Sequence, residues 1–537
     1  MAKAFGIDLG TTFSCVATYD EKYNKTEVLK NNAGDATTPS VVYVESDTSV
    51  VVGKQAINQL KGKNARKVVS FAKRLIADDK KCEEGKFENY PMMRGEQLTP
   101  TTASSHILKK LMENPSVKNL IGNENPNVVI TFPAYFSASA RRRTIQAGEI
   151  AGLNVLGTIE EPVAAAFAYG YRDETRNKVI LVYDLGGGTF DVTVVKFDEN
   201  GDATVLAKGG DPLLGGVDWD NDFAFYIWSQ YSQQCPQKIE LCESDFSSEE
   251  ISDLDKLRKV NHFRRLAQEA KHGLTDSPIY EVSCDDEGTI ISVTREIFDD
   301  VTRDRLESTF DKLNEVLSEV SDIEISDVLL VGGSTRMPQV IAGLESYPRF
   351  AGKIKFEDPD EAVAKGAAIM AYQMAKKLEE TELDTPPPGP KFDNISSKSY
   401  GIETCDPKRN NHIYISNIIC RGDKIPMERT EKFFTVEDNQ NSIKIVVYEA
   451  DDKRRQIELT DGKKISSENN CVRFDTQVPK ETPIAVTFRL DESGVLFVSA
   501  KSLVDSGHVD FQLQLKGVMS RGAMMAAKDN VANTATR

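Results

Sequence analysis

The sequence predicts an α/β protein with a duplicated core, followed by an antiparallel β-sandwich. Three observations carry this. Through residues 1–380, apolar strand-like runs alternate with helical periodicity. Within that region an Asp-Leu-Gly turn occurs twice, as Asp8-Leu9-Gly10-Thr11-Thr12 and as Asp184-Leu185-Gly186-Gly187-Gly188-Thr189. After a proline-rich break, short strands with polar turns replace the alternation.

The elements follow in order. Val128–Thr131, Val179–Tyr183 and Val328–Val331 are apolar runs bounded by turn residues, as buried strands are. Ser139–Ala151 has helical periodicity, with Arg141–Arg143 placed on its surface and Gly152 after its end. Ala362–Lys377, rich in Ala, Met and Lys, is a second strong helix. Thr385–Pro390 cannot continue it, so residues 381–400 read as a stiff, extended linker, with Phe392–Ser399 a polar loop. Ile443–Val447, Ile484–Phe488 and Val495–Ser499 read as strands of a domain spanning 401–517. Residues 518–537 are small and polar and predict a frayed, flexible tail.

Composition narrows the function. A chain of 537 residues has room for several domains. Its net charge of -17 lacks the basic footprint of a general nucleic-acid binder. The opening residues have no signal-peptide pattern, and no apolar run is long enough to span a bilayer. The closing Thr534–Arg537 carries no retention signal. The 8 cysteines are scattered with no C-x-x-C, which points to reduced thiols in a cytoplasmic protein.

The two turns carry the chemistry. Gly10 and the run Gly186, Gly187, Gly188 let backbone N–H groups approach phosphate oxygens, and Thr11, Thr12 and Thr189 add hydroxyl donors. Asp8, Asp184 and Asp191 are hard oxygen ligands suited to magnesium, directly or through water. Two such turns facing each other would clamp a triphosphate. A third element, Gly332-Gly333-Ser334-Thr335-Arg336, follows a buried strand; by itself it reads equally as a plain turn or as a site whose glycines can accept a flat base and whose arginine can stack on one.

These motifs give the chain its resemblance to the seventy-kilodalton heat-shock chaperones, the Hsp70 family, which share the two-lobed ATPase fold of actin and sugar kinases. The resemblance runs from Ala4 to about Lys516. It is dense in Gly6–Val16, Phe71–Ile76, Val128–Phe136, Glu160–Gly170, Tyr183–Val192, Leu214–Asn221, Val328–Pro338 and Asp358–Ala368. It implies an actin-like ATPase hydrolysing ATP to ADP with Mg2+ and a monovalent cation, K+. Lys73 would position the attacking water, Glu161 would accept a hydrogen bond from it, and Thr189 would contact the γ-phosphate. Asp8, Asp184 and Asp191 would hold the cations. Gly215, Gly216, Ser334 and Asp360 fall in the nucleotide-contacting segments. Gln268, Lys271, His272 and Thr275 would meet base and ribose. The family has Glu, Arg and Ser where this chain has Gln268, His272 and Thr275, so adenine stacking is expected to weaken.

The resemblance also implies partners: unfolded or nascent polypeptides, a J-domain co-chaperone and a nucleotide exchange factor. Gly157 stands where the family has an arginine that meets the J-domain, and Glu160 where it has an asparagine. Pro133 and Arg141, which relay nucleotide state, are retained. Ile402, Phe433, Val436, Ile443, Ile445 and Ile484 match the peptide groove. The segments 405–410 and 453–470 do not match, the stretch between Lys73 and Pro133 is short, Tyr231–Asp253 resembles an insertion, and the long helical lid is absent. The linker has no leucine run to dock, which predicts weakened coupling between nucleotide and peptide. Two readings stand: a chaperone that hydrolyses ATP, or a regulator or scaffold of another chaperone, for example at the ribosome. A sugar kinase or actin filament shares the fold, but not the C-terminal module.

Overall fold

The computed structural model describes residues 3–87, 90–121, 125–170, 175–235, 240–248, 251–356, 358–379, 392–406, 409–466, 471–491, 495–504, 508–511, 515 and 517–537. The proline run of the linker lies outside them. No helix among the described residues is long and apolar enough to cross a membrane.

The duplication predicted from the paired turns is present in the sheets. In lobe I, Ala4–Asp8 forms a hairpin with Phe13–Asp20, and on its other side pairs in parallel with Asn127–Phe132, which pairs with Asn154–Glu160. In lobe II, Val179–Leu185 forms a hairpin with Phe190–Phe197, and pairs in parallel with Asp327–Val331, which pairs with Ile354–Phe356. Five strands of each sheet correspond in order. Each Asp-Leu-Gly segment closes its lobe's hairpin. These strands are apolar on both faces because helices cover them, and Phe5, Ile7, Val182 and Leu329 are fully buried.

Two helices, Glu161–Gly170 and Ala362–Glu379, meet between the lobes. Their contact is built from Ala164, Val163, Ala367 and Ala371. Gly366 lies against the Ala164 carbonyl with no room for a β-carbon, so this crossing requires glycine.

The C-terminal module is the predicted antiparallel sandwich. One sheet runs Gln456–Ile457, His412–Ile419, Ser399–Asp406, Val447–Ala450 and Gly462–Lys464; the other runs Met427–Phe434, Pro483–Leu490, Leu496–Ser502 and His508–Phe511. Ile402, Ile445 and Ile484 lie in its buried core, Phe433 and Ile443 pack partly buried against that core, and Val436 is exposed.

Three expectations are corrected. Phe392–Ser399 is not a loop throughout: Phe392–Ile395 is a strand. Phe392 and Asp393 pair in parallel with Ala203 and Thr204 on the edge of the lobe II sheet, and Asn394 and Ile395 pair with Ile425 and Lys424 of the sandwich. Proline blocks strand addition only as far as Pro390; the next residues have free N–H groups. The Ile395 side chain joins the lobe core. The segment therefore docks as a strand through its backbone and the Ile395 side chain, without a leucine run.

Arg141 and Arg143 are not on the surface. Their helix, Ala138–Ile150, lies between lobe I and the sandwich, and both side chains are buried. Arg143 pairs with Asp79 and donates to the Ile76 carbonyl at 3.0 Å. Asp79 also takes Lys463 of the sandwich at 2.6 Å. The N–H of Ala138, at the start of the helix, donates to Glu449 of the sandwich at 3.1 Å. Arg421 reaches Glu319 of lobe II at 3.1 Å, and Lys453 reaches the same carboxylate at 2.8 Å.

The tail is not frayed. Arg521–Ala532 is a helix capped by Ser520, and it packs on the lobe I helices Pro100–Met112 and Ala138–Ile150. Ala535–Thr536 adds a parallel strand to Ser49–Val52. His106 lies beneath this helix in a small cavity with Thr102, Val531 and Thr534. Burial, then the Lys109 charge, lowers its pKa to about 4. The unfolded imidazole takes a proton near its ordinary value, so the unfolded state binds more protons between that value and about 4. Stability is therefore full above the ordinary value and falls as pH drops below it. Relative to His106→Gln, the parent should lose roughly 2 kcal/mol between pH 7.5 and 5. Urea unfolding of both proteins at the two pH values tests this, and equal losses would refute it.

Candidate functional site

The site forms where the two duplicated turns meet. Gly187 abuts Thr12 and Gly188 abuts Thr11, with no room for a β-carbon at either position. Gly215 presses on the Gly188 backbone in the same way. The N–H groups of Gly216 and Val217 donate to the carbonyls of Gly186 and Gly187 at 3.0 and 2.8 Å. The turn is thereby fixed to the N-terminus of helix Gly216–Gln234, which favours an anion. The structure thus brings Thr11 and Thr12 from one half against Gly187 and Gly188 from the other, with Gly215 packed on Gly188.

Acidic groups gather beside these turns. Asp8 accepts from Thr131 at 3.2 Å, and its carboxyl is pushed up to about 7 by burial and then by the Glu161 charge. Burial, reinforced by Glu161, raises Asp184 and Asp191 well above the carboxylate range. Both Asp191 oxygens are buried without a hydrogen-bond partner. Lys73 is buried and ion-paired with Glu161. Burial opposes its charge, but Glu161 and Asp8 outweigh that and hold the amine above its ordinary pKa.

This donor set fits a hard dication. Lys73 is already paired, so the remaining carboxylates lack countercharge, and the unpartnered Asp191 oxygens are hard acceptors. Among the described residues no three His, Cys, Asp or Glu side chains converge closely enough to chelate an ion directly.

Helix Leu254–Asp276 carries Gln268, Lys271, His272 and Thr275 at helical spacing, on one face. Lys271 is buried, pairs with Asp220 at 2.7 Å and donates to the Gly216 carbonyl at 3.1 Å. Ser334 lies against Gly216, so the third glycine element closes on the phosphate turn. Gly332 adopts φ 81° and presses on the Leu185 carbonyl, a conformation and a contact that both need glycine. Arg336, half exposed, pairs with Asp360 at 2.6 Å. His272 is exposed; partial burial and the Lys271 charge lower its pKa, so the ring is neutral at pH 7. Thr275 donates to the Lys271 carbonyl at 3.3 Å.

Two features escaped the sequence reading. Arg74, next to Lys73, crosses between the lobes to Asp218 at 3.1 Å and to the Leu213 carbonyl at 2.6 Å. Its adjacency to the lysine was the available signal. The other is Lys208, wholly buried in strand Ala203–Asp211, which donates to both Glu160 oxygens at 2.8 Å. Burial lowers this amine to about 8. A family model described as Hsp70 protein matches residues 4–526 of the chain.

Proposed function

Because this chain belongs to the Hsp70 family, we propose that it hydrolyses ATP slowly to ADP and uses that hydrolysis to time its hold on unfolded or nascent polypeptide. Chaperone action driven by an ATPase is the general function of the family. The observation that carries the reading for this chain is the buried Lys73–Glu161 pair beside the two interlocked turns.

Each residue then has a task. N–H groups of the turns and the hydroxyls of Thr11, Thr12 and Thr189 bind phosphate oxygens. The Lys73 ammonium holds the attacking water and offsets γ-phosphate charge, while Glu161 accepts a hydrogen bond from that water. Little covalent work is left for the protein, since phosphoryl transfer needs in-line placement and charge neutralisation. Asp8, Asp184 and Asp191 would hold hydrated Mg2+, with K+ beside it, whose charge offsets that of the phosphates when bound. Lys271, Gln268, Thr275 and Ser334 take the ribose side, and Arg336 with the Gly332–Gly333 platform takes the base. A neutral His272 stacks more weakly than an arginine would. Calorimetry should show MgATP bound at least about tenfold more tightly than MgGTP, roughly 1.4 kcal/mol. Equal affinities would remove the adenosine assignment.

Peptide coupling runs through the docked strand Phe392–Ile395 and the ion pairs of Glu319 and Asp79. J-domain contact is altered at Gly157, and an exchange factor remains a natural partner. The regulator reading has one observation in its favour: three of the six groove candidates, Ile402, Ile445 and Ile484, are buried in the sandwich core.

A further inference from the structure

Lys208 and Glu160 are each 2 % exposed, in the wall between the reaction centre and the docked strand. Glu160 ends strand Asn154–Glu160, and the next residue, Glu161, holds Lys73. On its other side Lys208 donates to Asn394 Oδ1 of the docked strand at 3.2 Å. Arg141 lies 3.5 Å from the Glu160 carboxylate and donates to Ser397 Oγ at 2.6 Å, two residues past the strand. Arg141 is itself fixed, by the Phe136 and Ala134 carbonyls at 3.1 and 3.2 Å and by the Phe132 ring beneath it. A continuous polar path therefore runs from Asn394 through Lys208 and Glu160 to Glu161 and Lys73.

A buried ion pair is weak evidence for stability, because well-packed apolar residues of similar volume are often as stable or more so. What it supplies is a position: both charges must keep their partners, so the groups attached to them are held. We propose that the Lys208–Glu160 pair is a positioning device that makes the placement of Glu161 and Lys73 depend on docking of strand Phe392–Ile395. With the strand in place, Asn394 and Ser397 complete the acceptor shells of Lys208 and Arg141. With it gone, water enters the wall, the pair is solvated and the Glu160–Glu161 peptide is no longer held. The family's asparagine at the Glu160 position cannot form this pair, so the device belongs to this chain. It rests on the hydrolytic reading of Lys73 and Glu161.

The test compares the parent chain with Lys208→Met, Asn394→Ala and Lys208→Met/Glu160→Met. The double variant removes both members of the pair and leaves Arg141 on the Phe136 and Ala134 carbonyls and Ser397 Oγ, and circular dichroism of each variant checks that it is folded. Three quantities are measured: the single-turnover ATP cleavage rate, the ATP dissociation constant, and amide exchange at Asn394 and Ile395. In the double variant, cleavage should fall at least about tenfold and exchange should rise by a similar factor, with ATP affinity unchanged. Asn394→Ala should slow cleavage in the parent and have no further effect in the double variant. Cleavage and exchange at parent values in the double variant would overturn the proposal, as would additive effects of Asn394→Ala. If the parent itself cleaves no ATP, the hydrolytic reading fails separately. The exchange measurement then judges the pair's hold on the strand, and unchanged protection would overturn that too.

Discussion

Lys73→Ala should lower single-turnover ATP cleavage by about a hundred- to a thousandfold while leaving ATP affinity within about tenfold of the parent. The expectation follows from the charge inventory. Glu161, Asp8, Asp184 and Asp191 are all buried beside one another, and the Lys73 charge partly opposes the upward shift that burial and Glu161 impose on Asp8, Asp184 and Asp191. On the proposed reading, removing it takes away the group that would face the attacking water and the developing phosphate charge. The proposed phosphate grip is separate: it would be made by backbone of the turns and by hydroxyls, and the packing of those turns on each other runs through Thr11, Thr12, Gly187, Gly188 and Gly215. The change should therefore fall on the rate and spare the affinity. Rapid-mix cleavage assays and calorimetry on the same preparation measure the two quantities. Cleavage at the parent rate would end the hydrolytic assignment of Lys73.

The residues in that prediction were legible in the sequence because their chemistry is local. An Asp-Leu-Gly turn with hydroxyls has the same meaning wherever it sits, and its repetition pointed to a duplicated fold. What escaped depends on contacts between distant segments. Arg141 and Arg143 look like the solvated face of a helix until the sandwich covers that face, where Ser397, Asp79 and backbone carbonyls meet their charges. Lys208, in Val205-Leu206-Ala207-Lys208-Gly209, reads as a strand residue whose amine escapes to solvent. Only the coming together of Glu160 and Asn394 makes it a buried cation. The linker's composition is dominated by its prolines, whereas docking needs only the four residues Phe392–Ile395. The tail's small residues suggest fraying in isolation, while against another surface they permit close packing.

That tail is the second structure whose removal should have a large effect. Its contacts form a sequence along lobe I. The Gln146 amide both donates to and accepts from the backbone of Met519, at 2.8 and 3.2 Å. Lys109 donates to the carbonyls of Val531 and Thr534 at 2.8 Å each, filling the unpaired carbonyls at the helix C-terminus and matching its negative dipole. Arg94 donates to the Asn533 carbonyl at 2.8 Å. Beyond it, Ala535 donates to Thr48, Arg537 donates to Val50, and Val52 donates to Arg537, each at 2.9 Å, closing the sheet edge. The sandwich is thus held at its start by the strand docked on lobe II and at its end by a helix and strand docked on lobe I. Separating it from the lobes requires both to release. With net hydrogen bonds worth about 1 kcal/mol each and only part of them surviving as surplus over ordering, the tail contributes on the order of 3 kcal/mol to the docked arrangement. Deleting residues 518–537 should therefore speed amide exchange at Val52 about a hundredfold and expand the molecule in small-angle X-ray scattering. Lys109→Met, which keeps the tail but removes its carbonyl cap, should produce a smaller change in the same direction. Unchanged protection at Val52 and unchanged scattering after deletion would show that the tail rests on lobe I without holding the sandwich to it.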